Sequence, residues 1–152
     1  MNQKQKIIAV IGGSQCTPEA YSQGVEVGRM LAENGISVIC GGLFGIMEAA
    51  CKGAYEAGGI TIGILPGSDP EEANEYVTIP IATGMGIGRN IVIIRSASAC
   101  IAIDGKYGTL SEIAYALQLQ KPVITLNSWE QVPETIPART AKEAVELVLG
   151  KT

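Results

Sequence analysis

The chain has 152 residues, 11 basic and 15 acidic for a net charge of −4, with 19 glycines and no histidine. That length suits one core, so a single domain over residues 1–152 is expected. The lack of histidine excludes Ser-His-Asp and Cys-His catalysis, histidine-ligated zinc and a histidine general base, and the acidic balance argues against a nucleic-acid polymer or a membrane surface as partner.

Strand and helix signals alternate from end to end. Lys6–Ile11 is a near-continuous apolar run closed by Gly12 and Gly13, as a strand buried on both faces reads. Thr17 before Pro18 is an N-cap with proline at the first helical position, and that helix should stop at Gly35. Gly24 and Gly28, four apart, are read as close packing of the helix on the sheet. Ile36–Cys40 is a second strand ending in Gly41 and Gly42, followed by a helix from about Phe44 to Ala57 with a stop at Gly58 and Gly59. Ile60–Leu65 is a third strand, closed by Pro66 and Gly67. Asp69–Glu75 is an acidic surface turn, and Tyr76–Ile81 a short strand that Pro80 confines to an edge.

For Arg89–Ala97 propensity favours a strand, but its place between two strands favours a helix, which is expected. Ala99–Ile103 is a buried strand, Thr109–Gln120 an amphipathic helix and Val123–Leu126 a core strand. Asn127–Arg139, with two prolines, reads as a loop. Thr140 with Glu143 is a capping box opening a last helix that ends at Gly150. Five or six short apolar strands separated by helices imply an α/β fold: three layers, Rossmann-like and doubly wound, with a mostly parallel sheet and helices on both faces. Such sheets take ligands beyond the carboxyl ends of their strands, where strand order reverses.

The four cysteines (Cys16, Cys40, Cys51, Cys100) lack CxxC spacing, so free thiols in a reducing compartment fit better than a disulfide framework or a metal site. No apolar run approaches the length of a membrane span, and Met1–Lys6 is polar with no leader-type segment after it; a cytoplasmic location is expected.

Average usage would give about 11 glycines in such a chain. Here 11 of the 19 fall in segments after predicted strands: Gly12, Gly13, Gly41, Gly42, Gly45, Gly67, Gly84, Gly86, Gly88, Gly105 and Gly108. Glycine at a strand end lets the backbone approach a ligand, and a helix N-terminus beyond it suits a phosphate. Neither GxGxxG nor GxxxxGK[ST] occurs, and no acidic residue closes the second strand, which disfavours an ordinary NAD enzyme and a P-loop NTPase.

Gly41–Ala49 (GGLFGIMEA), Arg89-Asn90 and Ile103–Ile113 (IDGKYGTLSEI) together resemble the LOG-like Rossmann superfamily, whose members include cytokinin-activating phosphoribohydrolases and molybdenum-cofactor carriers. The stretch GRN, then RSAS, then GTLSEIA is closest to the small carrier-type branch. Members have also been labelled lysine decarboxylases; nothing in this chain supports a Schiff-base lysine. Gly41, Gly42, Gly45, Ile46 and Met47 match the family's first glycine loop, Arg89 its helix-opening arginine, and Gly105, Gly108, Thr109 and Glu112 its PGGxGTxxE loop. Asp104 and Lys106 stand where that loop has proline and glycine, and Asn90 where the hydrolases have lysine.

The resemblance implies a nucleotide- or pterin-phosphate-binding protein of the carrier type, or else a nucleoside 5′-monophosphate phosphoribohydrolase with Arg89 and Glu112 as its catalytic pair. A structural or regulatory subunit with a vestigial pocket is the third reading. The ligand-contacting set is Gly12, Gly13, Ser14, Gly41, Gly42, Gly45, Arg89, Asn90, Gly105, Lys106, Gly108, Thr109 and Glu112. No cofactor is required; a bound nucleotide, the molybdenum cofactor, or a phosphate or sulfate ion is compatible with the loops, and no metal site is expected.

Three residues keep alternative readings. Lys106 either binds ligand or neutralises Asp104. Glu112 either caps its own helix through Thr109-Leu110-Ser111-Glu112 or meets the ligand. Arg89 has a rival reading as a solvated or interface arginine. Met47 and Trp129 read as packing residues, and the apolar stretch Ala49–Ala57 suggests self-association, a dimer or tetramer.

Overall fold

The computed structural model describes residues 2–152; Met1, the first residue of the polar start, lies outside them. Seven strands form one sheet: β1 (Ile7–Gly12), β2 (Ser37–Cys40), β3 (Thr61–Leu65), β4 (Ile79–Ala82), β5 (Ala99–Ile103), β6 (Val123–Leu126) and β7 (Ile136–Ala138). Their order is β4-β3-β2-β1-β5-β6-β7 and every pairing is parallel. The chain steps outward from β1 to β4, returns beside β1 as β5, and steps outward the other way. Strand order therefore reverses between β1 and β5, and a crevice opens there at the carboxyl edge.

Five helices cover the sheet: α1 (Pro18–Glu33), α2 (Ile46–Glu56), α3 (Asn90–Ser96), α4 (Tyr107–Gln118) and α5 (Ala141–Lys151). The period-2 geometry of a strand sends Ile8 and Val10 to one face, with Val27, Leu31, Ala50, Ala54, Val145 and Val148 of α1, α2 and α5. Ala9 and Ile11 go to the other, with Ile93 and Ile94 of α3 and Ile113 and Ala116 of α4. Both faces are thus buried, which is why the strands read as unbroken apolar runs.

Several boundaries and contacts differ from the sequence reading. Thr17 caps α1 as expected, its Oγ1 accepting the Ala20 N–H at 3.1 Å. Gly24 and Gly28, however, pack against α2 rather than the sheet: a Cβ on Gly24 would lie 2.8 Å from the Ala49 Cβ, and one on Gly28 would overlap the Ala50 carbonyl. Gly53 of α2 presses in the same way on the Val25 carbonyl. That contact covers Ala49, Ala50 and Ala54 within the chain, so these small apolar residues offer no surface for self-association, while Tyr55 of the same stretch stays half-exposed.

β4 does occupy an edge, but begins at Ile79; Tyr76 is instead tied to the side chain of the buried Asn74. The Asn127–Arg139 segment is not all loop, because Ile136–Ala138 adds the seventh strand with Pro137 on the outer edge. Thr140 caps α5, yet Glu143 returns to the Arg139 N–H rather than to Thr140, and the helix runs through Gly150 to Lys151. Among the described residues no helix is long and apolar enough to cross a membrane.

Candidate functional site

The crevice between β1 and β5 opens into a cavity of about 410 Å³, within the range of small-molecule sites. Its wall is assembled from strand ends: Gly12, Gly13, Ser14 and Gln15 after β1, Gly41 after β2, Pro66 after β3, and Asp104, Gly105 and Lys106 after β5. Gly108, Thr109 and Glu112 come from the first turns of α4, and Arg89 and Asn90 from the start of α3. The fold thus gathers 11 of the 13 nominated residues around one space.

Gly42 and Gly45 do not line the cavity. Their backbones turn through positive φ, at 78° and 66°, and serve the loop's shape. A Cβ on Gly45 would overlap the Gly13 carbonyl, and the next residue, Ile46, donates its N–H to that same oxygen at 3.0 Å. The β2–α2 loop is therefore clamped onto the β1–α1 loop. Gln15, Leu43, Met47, Pro66 and Ile87 line the cavity without having been nominated. Of these only Met47 carries a signal in the sequence, as a match to the family loop, although it reads there as a packing residue.

Arg89 forms part of the floor and is only 8% exposed, which rules out a solvated arginine. Its Nε donates to the Ile64 carbonyl at 2.9 Å, one terminal nitrogen reaches the Gly41 carbonyl at 3.5 Å, and the other bonds the Asn90 side-chain oxygen. Burial lowers its pKa, but guanidinium is basic enough to stay cationic. Gly41 permits this placement, since a Cβ there would meet the Met47 Sδ at 2.6 Å and Arg89 Nη2 at 2.7 Å.

Glu112 is as buried as Arg89 and, among the described residues, has no hydrogen bond or ion pair. Burial raises its carboxyl to about 8, with the Arg89 charge acting in the opposite direction. The capping-box reading fails because α4 begins two residues earlier, at Tyr107 with Lys106 as the N-cap. Thr109 is then inside the helix, and Glu112, one turn on, faces the cavity. A Cβ on Gly105, at φ 99°, would overlap the Thr109 hydroxyl, so glycine is required where the strand turns into the helix.

Asp104 also takes a left-handed backbone, at φ 52°, and its carbonyl accepts from Ser128 Oγ at 2.5 Å. Lys106 is exposed and makes no ion pair with Asp104 among the described residues, so its ammonium is free to meet an incoming anion. Trp129 does more than pack: its indole N–H donates to the Lys106 carbonyl at 3.0 Å, holding the loop in place.

An α-helix leaves its first N–H groups without intrahelical acceptors and carries partial positive charge there. For α4 those groups belong to residues 107–109, beside Lys106 and at the mouth of the cavity. The site therefore combines an anion-accepting rim, an apolar wall from Ile11, Leu43, Met47 and Ile87, and a polar floor of Arg89, Asn90 and Glu112.

Residues 5–150 match the SLOG cluster4 family. An uncharacterized protein of Archaeoglobus fulgidus is 40% identical over 145 residues, 95% of each chain. A cytokinin riboside 5′-monophosphate phosphoribohydrolase of Oryza sativa subsp. japonica is 31% identical over 133 residues, 81% of this chain but 55% of the plant enzyme. The chain thus spans little more than half the length of that relative. Among solved structures, the molybdenum cofactor binding protein of Rippkaea orientalis superposes with a TM-score of 0.92 at 34% identity, covering 98% of both chains. The molybdenum cofactor carrier protein of Chlamydomonas reinhardtii gives 0.89 at 31% identity, covering 97% of this chain and 98% of the other.

Proposed function

Because the chain belongs to the SLOG cluster4 family, within the wider LOG-like group, we propose that it binds a small phosphorylated ligand and holds it without turnover. The ligand class is a nucleotide or a pterin phosphate, with the molybdenum cofactor as the cargo the solved relatives suggest. The observation that carries this reading is the pairing, in one cavity at the switch point, of an amide-rich helix start with a buried arginine floor. A phosphate takes the free amides of residues 107–109 and the Lys106 ammonium. The polar edge of a ring system takes Arg89, Asn90 and Glu112, while Leu43, Met47 and Ile87 cover its faces.

The chain is a single domain in this reading, cytoplasmic, with no nucleic-acid polymer or membrane among its partners. Self-association belongs to the proposal too, resting now on the exposed Ile79 and Ile81 of edge strand β4 and on Met85 and Ile87 beyond it.

One observation favours phosphoribohydrolase activity instead. A carboxyl that titrates near 8 is protonated at neutral pH and suits a general acid for a departing base. Asp104 and Lys106 in place of proline and glycine weigh on the other side. Incubation with adenosine 5′-monophosphate, followed by calorimetry and chromatography of the products, separates the two. The binding reading expects one ligand per site and no free adenine. Adenine release that disappears in Glu112→Gln establishes the hydrolase, and absence of heat with both nucleotides and pterin phosphates removes the binding reading.

A further inference from the structure

Two thiols that the binding role leaves unused lie directly behind the cavity wall. Cys40 ends β2 and Cys51 lies in α2; both are fully buried, with their Sγ atoms 3.4 Å apart. The Cys40 sulfur also accepts the Gly42 N–H at 3.3 Å, and Met47 completes the small cluster. Cys40 precedes Gly41, which with Met47 belongs to the cavity wall. The first glycine loop is therefore strung between the two elements that carry the thiols.

We propose that Cys40 and Cys51 are a redox-active dithiol, which closes to a disulfide beneath the first glycine loop and loosens the pocket's hold on its ligand. The disulfide stands on the thiol geometry alone; its effect on affinity rests on the binding reading above. A disulfide needs an S–S distance of about 2.05 Å, so the sulfurs must approach by on the order of 1 Å. β2 is held on both sides by β1 and β3, so the movement falls on α2 and the loop. Close-packed interiors transmit such shifts, and here Met47 and Gly41 both touch the space around Arg89.

The two sulfurs are not equivalent. The bond to Cys51, helped by the Gly42 N–H and the Arg89 charge, holds Cys40 below the ordinary thiol range although burial opposes this. The same bond, together with burial, pushes Cys51 the other way. With a peroxide as oxidant, the Cys40 thiolate attacks one peroxide oxygen. The O–O bond breaks, the departing hydroxide takes a proton to become water, and Cys40 becomes a sulfenic acid. The Cys51 sulfur then attacks the Cys40 sulfur; the S–O bond breaks and the leaving hydroxide takes the Cys51 proton as a second water. The sum is two thiols and one peroxide giving one disulfide and two waters.

The test treats the reduced, folded protein with hydrogen peroxide, then unfolds it, alkylates the remaining thiols, and combines intact mass with peptide mapping. The expected product is lighter by two hydrogens before alkylation, keeps two of the four thiols free, carries a Cys40–Cys51 cross-linked peptide, and reverts with dithiothreitol. In Cys51→Ala the bridge is absent and Cys40 carries oxygen instead. Mapping the wild-type protein itself keeps the result independent of whether that variant folds. Calorimetry with adenosine 5′-monophosphate is expected to show affinity about tenfold lower for the oxidised form.

Four free thiols after oxidation, or a bridge through Cys16 or Cys100, overturns the dithiol. A Cys40–Cys51 bridge with unchanged nucleotide affinity overturns the coupling. Nucleotide binding to neither form overturns the coupling together with the binding reading, and leaves the dithiol standing.

Discussion

Glu112 is the residue whose surroundings make the most specific demand on solution behaviour. In the folded chain its carboxyl titrates at about 8 instead of 4.5, so between those values the folded state holds a proton that the unfolded state has lost. This stabilisation is fully present below pH 4.5 and is lost as pH rises through 8, a decline on the order of 3 to 5 kcal/mol at most. Thermal melts of the ligand-free protein from pH 5 to 9 are therefore expected to show falling stability. Glu112→Gln should flatten much of that fall and melt higher than wild type at pH 9. An unchanged slope in the variant would place the carboxyl in water.

Gly108 offers the complementary test. Apart from its chain neighbours and its own helix backbone, nothing lies within 4 Å of where its Cβ would be, so Gly108→Ala fits the fold and gains up to about 1 kcal/mol of helix propensity. That Cβ would stand among the α4 amides proposed to receive the phosphate, so nucleotide affinity should drop while the melting temperature holds or rises. Arg89 and Glu112 were legible only through their resemblance to a family pattern. From spacing alone, the four-residue Thr109–Glu112 run favours a cap, and only the family pattern makes the ligand-facing reading its equal. What decided between them was the start of α4 at Tyr107, which turns an apparent N-cap into an interior residue.

At the scale of elements, the contact between α1 and α2 sets how closely two of the three helices on that face approach. Gly28→Ala should cost about 1 to 3 kcal/mol, because its Cβ would collide with the rigid Ala50 carbonyl. Gly53→Ala should cost a similar amount against the Val25 carbonyl. Denaturant unfolding read by circular dichroism checks both. Variants as stable as wild type would mean that the helices separate without penalty.

The pattern of glycines four apart was visible in the sequence, but the partner was not, since helix–helix and helix–sheet packing both ask for small residues at that spacing. Central strands were legible for a clear reason: burial on both faces demands long apolar runs such as Lys6–Ile11 and Ala99–Ile103. Edge strands lack that demand. β7 has three residues around Pro137, and β4 has four residues with Pro80 among them and little burial, so neither advertises itself fully. Both prolines sit on the outer strands, where a missing N–H also discourages pairing with a second sheet.

On the scale of the whole molecule, alternation of strand and helix signals was enough to give a parallel sheet with two covered faces. It did not give the strand order, and strand order is what puts the site between β1 and β5. Once that order is known, the glycine-rich segments fall along one edge for a common reason: each follows a strand and points to the same side. Gly42 and Gly45 show the limit of that reading, since glycines that hold two loops together look the same in sequence as glycines that face a ligand.

In the proposed function this edge of the sheet retains a phosphorylated ligand. The most direct measurement is native mass spectrometry of the gently purified protein, before and after one equivalent of a pterin phosphate or a nucleoside monophosphate, with the supernatant assayed for free base. The expected result is a chain carrying one intact ligand, with affinity reduced by Arg89→Ala and by Lys106→Ala and no free base released. A chain that retains none of these ligands, or that releases free base from them, would contradict it.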